Sequence, residues 1–197
     1  MNTIVNLMHE FGMLAKTPRS GFAFLGSGQQ SVAEHSHRMT LIAFILAEMS
    51  KDPLDKHKLM MMCLFHDLPE TRTGDLNYVN KKYVHVDNEK VLSDLSSSSS
   101  LGPMIVNYIR EYEEGKTPEA KIAKDADQLE LLLVLKQEWE KGNNHAVEWF
   151  DIAIKRLNTK DAQCIADEIR KRPSTDWWVG NKADPHWIKA AKEKTHQ

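Results

Sequence analysis

The chain has 197 residues, 41% of them hydrophobic and 27% charged, a globular composition that excludes a disordered or collagen-like protein. Its 26 basic and 28 acidic residues leave a formal charge of −2, so nothing advertises a nucleic-acid or anionic-membrane partner. This length fits one core better than two.

The N-terminal stretch Met1–Glu10 lacks the basic flank and unbroken apolar run of a signal peptide. The apolar run Met39–Ala47 is bounded by Arg38 and Glu48, too short to span a bilayer. Two cysteines, Cys63 and Cys164, are too few for a disulfide scaffold or a thiolate zinc site. A cytoplasmic protein with reduced thiols is the expectation.

Helical periodicity dominates, with the nine glycines and seven prolines falling between periodic segments. Helices are expected at about 2–15, 31–50, 55–67, 79–94, 101–114, 118–141, 144–157, 160–171 and 184–195. No alternating β-branched run is long enough for a strand, so the class is all-α. Ser31 stands three before Glu34 in a capping-box pattern, and Thr117-Pro118 opens another helix. The run Ser96–Ser100 reads as a solvated loop, and Trp177 and Trp178 as an aromatic strap packed on the bundle.

Ionisable residues stand where core residues belong. On the helix from Val32, the residues Val32, Met39, Ile42 and Leu46 form one stripe with His35 in its middle, while His37 points roughly 200° away. In the next helix Leu59, Met62 and Cys63 are followed in the same series by His66, with Asp67 directly after. On the helix from Pro118, Asp127 falls between Ala123 and Leu131 on a shared face. Burying such groups singly costs several kcal/mol each unless they are paired or bind a cation. A metal-free His–Asp hydrogen-bond network is one way to satisfy them. The mixed nitrogen and oxygen set favours a divalent first-row metal with positions open to water. Pro69 turns the chain just after the doublet, which puts Glu70 and Asp75 near the opening, where carboxylates can position water or protonate a leaving oxygen. The plainer role for Asp75 is helix capping.

These residues resemble the HD superfamily of metal-dependent phosphohydrolases, whose signature is a His, a His-Asp doublet and a distant Asp on a helical bundle. Ser31–Met39 with its Glu-His-Ser, His66-Asp67-Leu68-Pro69-Glu70 with Asp75, and Pro118-Glu119-Ala120-Lys121 leading to Asp127 are similar to the branch containing 5'-deoxynucleotidases. The resemblance runs from about Leu14 to Gly142. It implies a single HD domain over 1–197, with its core at about 14–142 and a helical extension at about 143–197. It implies one divalent ion (manganese, cobalt, iron or magnesium) held by His35, His66, Asp67 and Asp127, with Glu70 and Asp75 assisting the attacking water. Asp125, on the opposite side of its helix, is not expected to ligate. Arg19-Ser20-Gly21-Phe22 resembles a substrate-contacting Arg-Thr-Gly-Trp-like run, so Arg19 and Phe22 are expected to bind substrate, with Lys16 as a second cation.

The activity implied is hydrolysis of deoxyribonucleoside 5'-monophosphates by a homodimer, although no surface stripe in the sequence points to the dimer. The alternatives are a phosphohydrolase acting on nucleoside triphosphates or cyclic nucleotides, or a silent nucleotide-binding protein.

Overall fold

Caps written in the sequence set the main helix boundaries in the computed structural model, which describes residues 2–186. Ser31 Oγ accepts from the Glu34 backbone N–H at 3.2 Å while the Glu34 carboxylate accepts from the Ser31 N–H at 2.7 Å, a closed capping box that starts α3 (Val32–Met49). Asp55 caps α4 (Lys56–Phe65), and Thr117 with Pro118 at the first position starts α8 (Pro118–Glu140). The others are α1 (Asn2–Met13), α2 (Gly21–Leu25), α5 (Glu70–Thr73), α6 (Asn88–Ser97), α7 (Gly102–Glu114), α9 (Asn144–Ala153), α10 (Lys160–Lys171) and α11 (Asp176–Val179). No strand occurs among the described residues; Pro18 and Ser31 form one isolated bridge. The fold is all-α, as the periodicity implied. No helix among the described residues is long and apolar enough to cross a membrane.

α8 is the axis of the bundle. It is buried on most sides, through Ala123, Ala126, Leu129, Leu132 and Leu135 and through charged residues such as Asp125 and Glu130, and α3, α4, α7, α9 and α10 pack against it. Met39, Leu46, Met62, Leu132, Phe150 and Ala162 belong to the main core. A second core gathers Leu7, Val32, Leu68, Leu92, Leu95, Ile105 and Ile109. Each fully buried leucine contributes about 1.5–3 kcal/mol relative to exposure. Along α3 the chain passes from Val32 in the second core to Met39 in the main one, and across the α4 end from Cys63 to Leu68. His35 and His66 sit at those crossings, so the seam between the two cores carries the polar residues.

Three expectations change. The helix expected over 79–94 starts at Asn88, because Asp87 accepts from the Lys90 N–H at 3.0 Å and caps it; Asn80–Lys82 form one 3-10 turn upstream. The serine run is no loose loop. Ser96 and Ser97 finish α6, Ser98 Oγ donates to the Leu95 carbonyl at 2.7 Å, and buried Ser99 accepts from the Leu101 N–H at 3.2 Å. A Cβ on Gly102 would meet the Leu95 and Ser96 carbonyl oxygens at 2.4 Å, so the tight α6–α7 turn requires glycine there. The tryptophan doublet stays at the surface, Trp177 86% and Trp178 49% exposed, because the short α11 turns it away from the core. The helix expected over 184–195 falls almost wholly outside the described residues.

Candidate metal centre

The histidine and the doublet face one another across the bundle, with the distant aspartate between them. His35 projects from the buried side of α3, His66 closes the C-terminal end of α4, Asp67 follows in the turn, and Asp127 comes from α8. His35 Nε2 lies 3.2 Å from Asp127 Oδ1 and 3.8 Å from Asp67 Oδ2, and His66 Nε2 lies 3.1 Å from Asp67 Oδ2. The imidazole centroids are 5.5 Å apart. One ligand atom from each of His35, His66 and Asp127 falls within 4.8 Å of the others, a spread that one ion can bridge. His66 Nδ1 is 3.0 Å from the Cys63 carbonyl, which can only accept, so Nδ1 carries hydrogen and Nε2 faces the cluster.

The donors fit a divalent cation. His35 Nε2 is buried with no hydrogen-bond partner while two carboxylates stand beside it, and a shared cation satisfies all three. Although burial opposes its ionisation, His66, then His35 and Arg19, hold the Asp67 carboxyl at about 2. Asp127 is likewise lowered against burial, by His35, His66 and Arg19. Burial and Arg19 pull His35 down, yet Asp127 and Glu130 outweigh them and push it up to about 9. Without metal, the cluster keeps a proton where a cation would sit.

Glu70 behaves differently. Burial first, then Asp67 and Asp75, push its carboxyl up to about 8 against Arg19 and Lys81, and its Oε2 is buried without a partner. Those causes favour the protonated acid beside the cluster. Asp75 Oδ2 accepts from the Ser20 backbone N–H at 2.7 Å and from Ser20 Oγ at 3.4 Å, so it ties down the Arg19 loop; it caps no helix. Asn77 Nδ2 donates to the same Ser20 hydroxyl at 3.2 Å.

Arg19 is brought to the site. Its Nη1 lies 3.4 Å from Asp67 Oδ2, and its backbone N–H donates to the Gln30 carbonyl at 2.8 Å. Burial would lower its basicity, and Asp67, Asp127, Asp75 and Glu130 more than restore it. The other two expected substrate contacts are not assembled. Phe22 packs into the main core, where apolar burial outweighs projection into a polar cleft, and Lys16 is exposed after α1 and pairs with none of the site's carboxylates. Asp125, fully buried, accepts from the Asn158 and Thr159 backbone N–H groups at 2.6 and 2.8 Å and from both their side chains. It staples α8 to the start of α10.

Glu130 and Tyr112 went unread in the sequence. Glu130 lies one turn beyond Asp127 on α8, fully buried, and that spacing was its only signal. Tyr112 Oη donates to Asp127 Oδ2 at 3.3 Å, and its ring lies 4.8 Å from that of His66. Nothing local distinguishes it from an ordinary core tyrosine of α7.

Comparison with known proteins bears on the family and the fold. The family model described as "HD domain" matches residues 11–171. The 5'-deoxynucleotidase HDDC2 of Danio rerio is 27% identical over 197 aligned positions, covering 89% of this chain and 96% of the relative. Among solved structures, the PH0347 protein from Pyrococcus horikoshii OT3 superposes with a TM-score of 0.71 at 26% identity, covering 84% of this chain and 97% of that one. The predicted coding region AF1432 from Archaeoglobus fulgidus is 30% identical with a TM-score of 0.63, covering 90% of this chain and all of its own. A match over that span, on a helical bundle that sets the first histidine against the His-Asp doublet, makes the chain a member of the HD-domain family.

Proposed function

We propose that the protein is a metal-dependent phosphomonoesterase that converts deoxyribonucleoside 5'-monophosphates to deoxyribonucleoside and phosphate. The observation that carries the reading is the meeting of His35, His66, Asp67 and Asp127 at the seam of the two cores, with the half-buried Arg19 against Asp67. The deoxyribonucleotide substrate class rests on relatives that bear the name 5'-deoxynucleotidase.

His35, His66, Asp67 and Asp127 would hold the ion. A divalent cation there supplies Lewis-acid polarisation of the phosphoryl group and activation of the attacking water. Arg19 has guanidinium N–H groups beyond the one facing Asp67, and these take the phosphate oxygens as charge builds on them. Asp75 and Asn77 hold the Arg19 loop through Ser20, so the cation is positioned before substrate arrives. Water attacks phosphorus and its protons leave on the phosphate product, which passes one to solvent; the bond from phosphorus to the 5'-oxygen breaks, and the Glu70 carboxyl gives its proton to that departing oxygen. Glu70 then recovers a proton from solvent.

The chain is read as one domain because Phe150 and Ala162, from the C-terminal helices, join the main core. A cytoplasmic homodimer completes the reading. Leu41, Phe44, Ile45 and Met49 form an exposed apolar row on α3 that supports it.

The test is phosphate release from each common ribo- and deoxyribonucleoside 5'-monophosphate, with manganese, cobalt, iron or magnesium added to metal-stripped protein. Inorganic phosphate from the deoxyribonucleoside monophosphates is expected. Pyrophosphate or triphosphate release from triphosphates, or turnover of a cyclic nucleotide, would replace this reading with the broader phosphohydrolase one. Tight nucleotide binding with no release under any metal would make the protein a silent binder.

A further inference from the structure

Behind the cluster, on the side away from Asp127, the Nδ1 edge of His35 meets a third carboxylate. Glu130 Oε2 lies 2.7 Å from His35 Nδ1, and both side chains are fully buried. The other oxygen, Oε1, accepts from Gln30 Nε2 at 2.6 Å and Arg38 Nε at 2.8 Å, and Arg38 Nη2 reaches the same atom. These contacts come from the segment before α3 and from α3 itself, where Arg38 follows His35 by one turn.

The donor count settles which ring nitrogen carries hydrogen. A guanidinium only donates, and an ionised carboxylate only accepts. With Arg38 and Gln30 saturating Oε1, Glu130 offers Oε2 to Nδ1 purely as an acceptor, so Nδ1 holds the hydrogen. In the neutral ring the lone pair then lies on Nε2. That is the same Nε2 that stands buried and unpartnered before Asp127 and Asp67. We propose that Glu130, clamped by Arg38 and Gln30, is a positioning residue that holds His35 with Nδ1 protonated and Nε2 directed at a divalent cation. The proposal rests on the metal reading above and adds a network through which Arg38, on the partly exposed flank of α3, reaches that cation.

A mere clamp between α3 and α8 would make the same contacts and behave differently on mutation. Glu130→Ala leaves Nδ1 without a partner, and the ring chooses its tautomer freely. Glu130→Gln keeps the volume, but Arg38 and Gln30 claim its one oxygen. Its amide NH2 then faces Nδ1 and drives the hydrogen onto Nε2, where it blocks the cation. The ring's tautomer preference therefore separates the two effects. Glu130→Ala is the more disruptive to stability, whereas Glu130→Gln is the more disruptive to metal binding.

The experiment is calorimetric titration of manganese into the metal-stripped full chain near neutral pH, with melting temperatures recorded alongside. Relative to the wild type, about tenfold weaker binding is expected for Glu130→Ala and about 100-fold weaker for Glu130→Gln, with Glu130→Gln melting at the higher temperature of the two. Arg38→Gln, at a partly exposed position, should weaken binding severalfold; if neither Glu130 variant folds, it decides alone, and wild-type affinity in it overturns the proposal. Wild-type affinity in Glu130→Gln, or binding lost in the same order as stability, reduces Glu130 to a clamp and overturns the proposal while leaving the metal centre standing. A wild-type chain that binds no divalent cation fails earlier, and the metal reading falls with the proposal.

Discussion

Glu70 keeps its proton at neutral pH because burial and the negative field of Asp67 and Asp75 make its ionised form expensive. A cation held by Asp67 would offset part of that field, so phosphomonoesterase kcat is expected to fall on the alkaline side as the acid is lost at or below about 8. Glu70→Gln should cut kcat by about 10²–10⁴-fold with the ion still bound, as metal analysis of the variant would confirm. Its effect on stability has the opposite sign. A carboxyl whose pKa is higher folded than unfolded stabilises the fold at low pH, and that support is lost as pH rises through the folded value. Metal-free Glu70→Gln should thus melt above the wild type at about pH 9 and alongside it below about pH 4, a comparison that calorimetric scans at both pH values make directly. Unchanged turnover in Glu70→Gln would remove the residue from the chemistry.

Elements are held together by polar staples as much as by apolar area. Asp125 illustrates this, since it receives backbone and side-chain donors from both Asn158 and Thr159 and so fixes the entry to α10. Asp125→Ala would remove the acceptor of the Asn158 and Thr159 backbone N–H groups, which water reaches in part, at about 1–2 kcal/mol in total. For a chain of this size that lowers the melting temperature by about 2–4 °C per kcal/mol. Manganese affinity should stay at the wild-type value, because Asp125 points away from the cluster; a matching loss of affinity would contradict that separation. The turn between α6 and α7 obeys the same logic through sterics. Gly102→Ala places a methyl group 2.4 Å from two carbonyl oxygens and forces the helices apart, so thermal scans should show a drop.

Across the whole molecule, α3, α4 and α8 each contribute charge to one point, and only the folded chain brings those charges together. A cation that binds there stabilises the fold by mass action, by about 2.7 kcal/mol at 100 times its dissociation constant. Manganese added to stripped protein should raise the melting temperature by roughly 5–10 °C, and chelation should reverse it. The gain should shrink as pH falls below about 9, since the ion must displace the His35 proton. The exposed α3 row supplies a second test at this scale. Phe44→Glu should shift the protein toward monomer in sedimentation if that face joins two copies, and leave the mass unchanged otherwise.

The helical class, the capping box at Ser31 and the inward aim of His35, His66 and Asp127 were all legible in the sequence. Each depends on a helical period or a contact within one turn, so a few neighbouring residues suffice to determine it. The serine run and the tryptophan doublet misled for the converse reason. Composition suggested a loop and a strap, whereas backbone packing at Gly102 and the direction of α11 decided otherwise. The sequence by itself determined the helices and the inward faces of His35, His66 and Asp127. The tertiary structure alone decided which of them meet. Asp75 reaches Ser20, and Glu130 finds His35 and Arg38, across chain separations of 55 to 95 residues. Such pairings have no local signature, because they are selected by the docking of α8 against α3 and by the cost of leaving a buried charge unpaired.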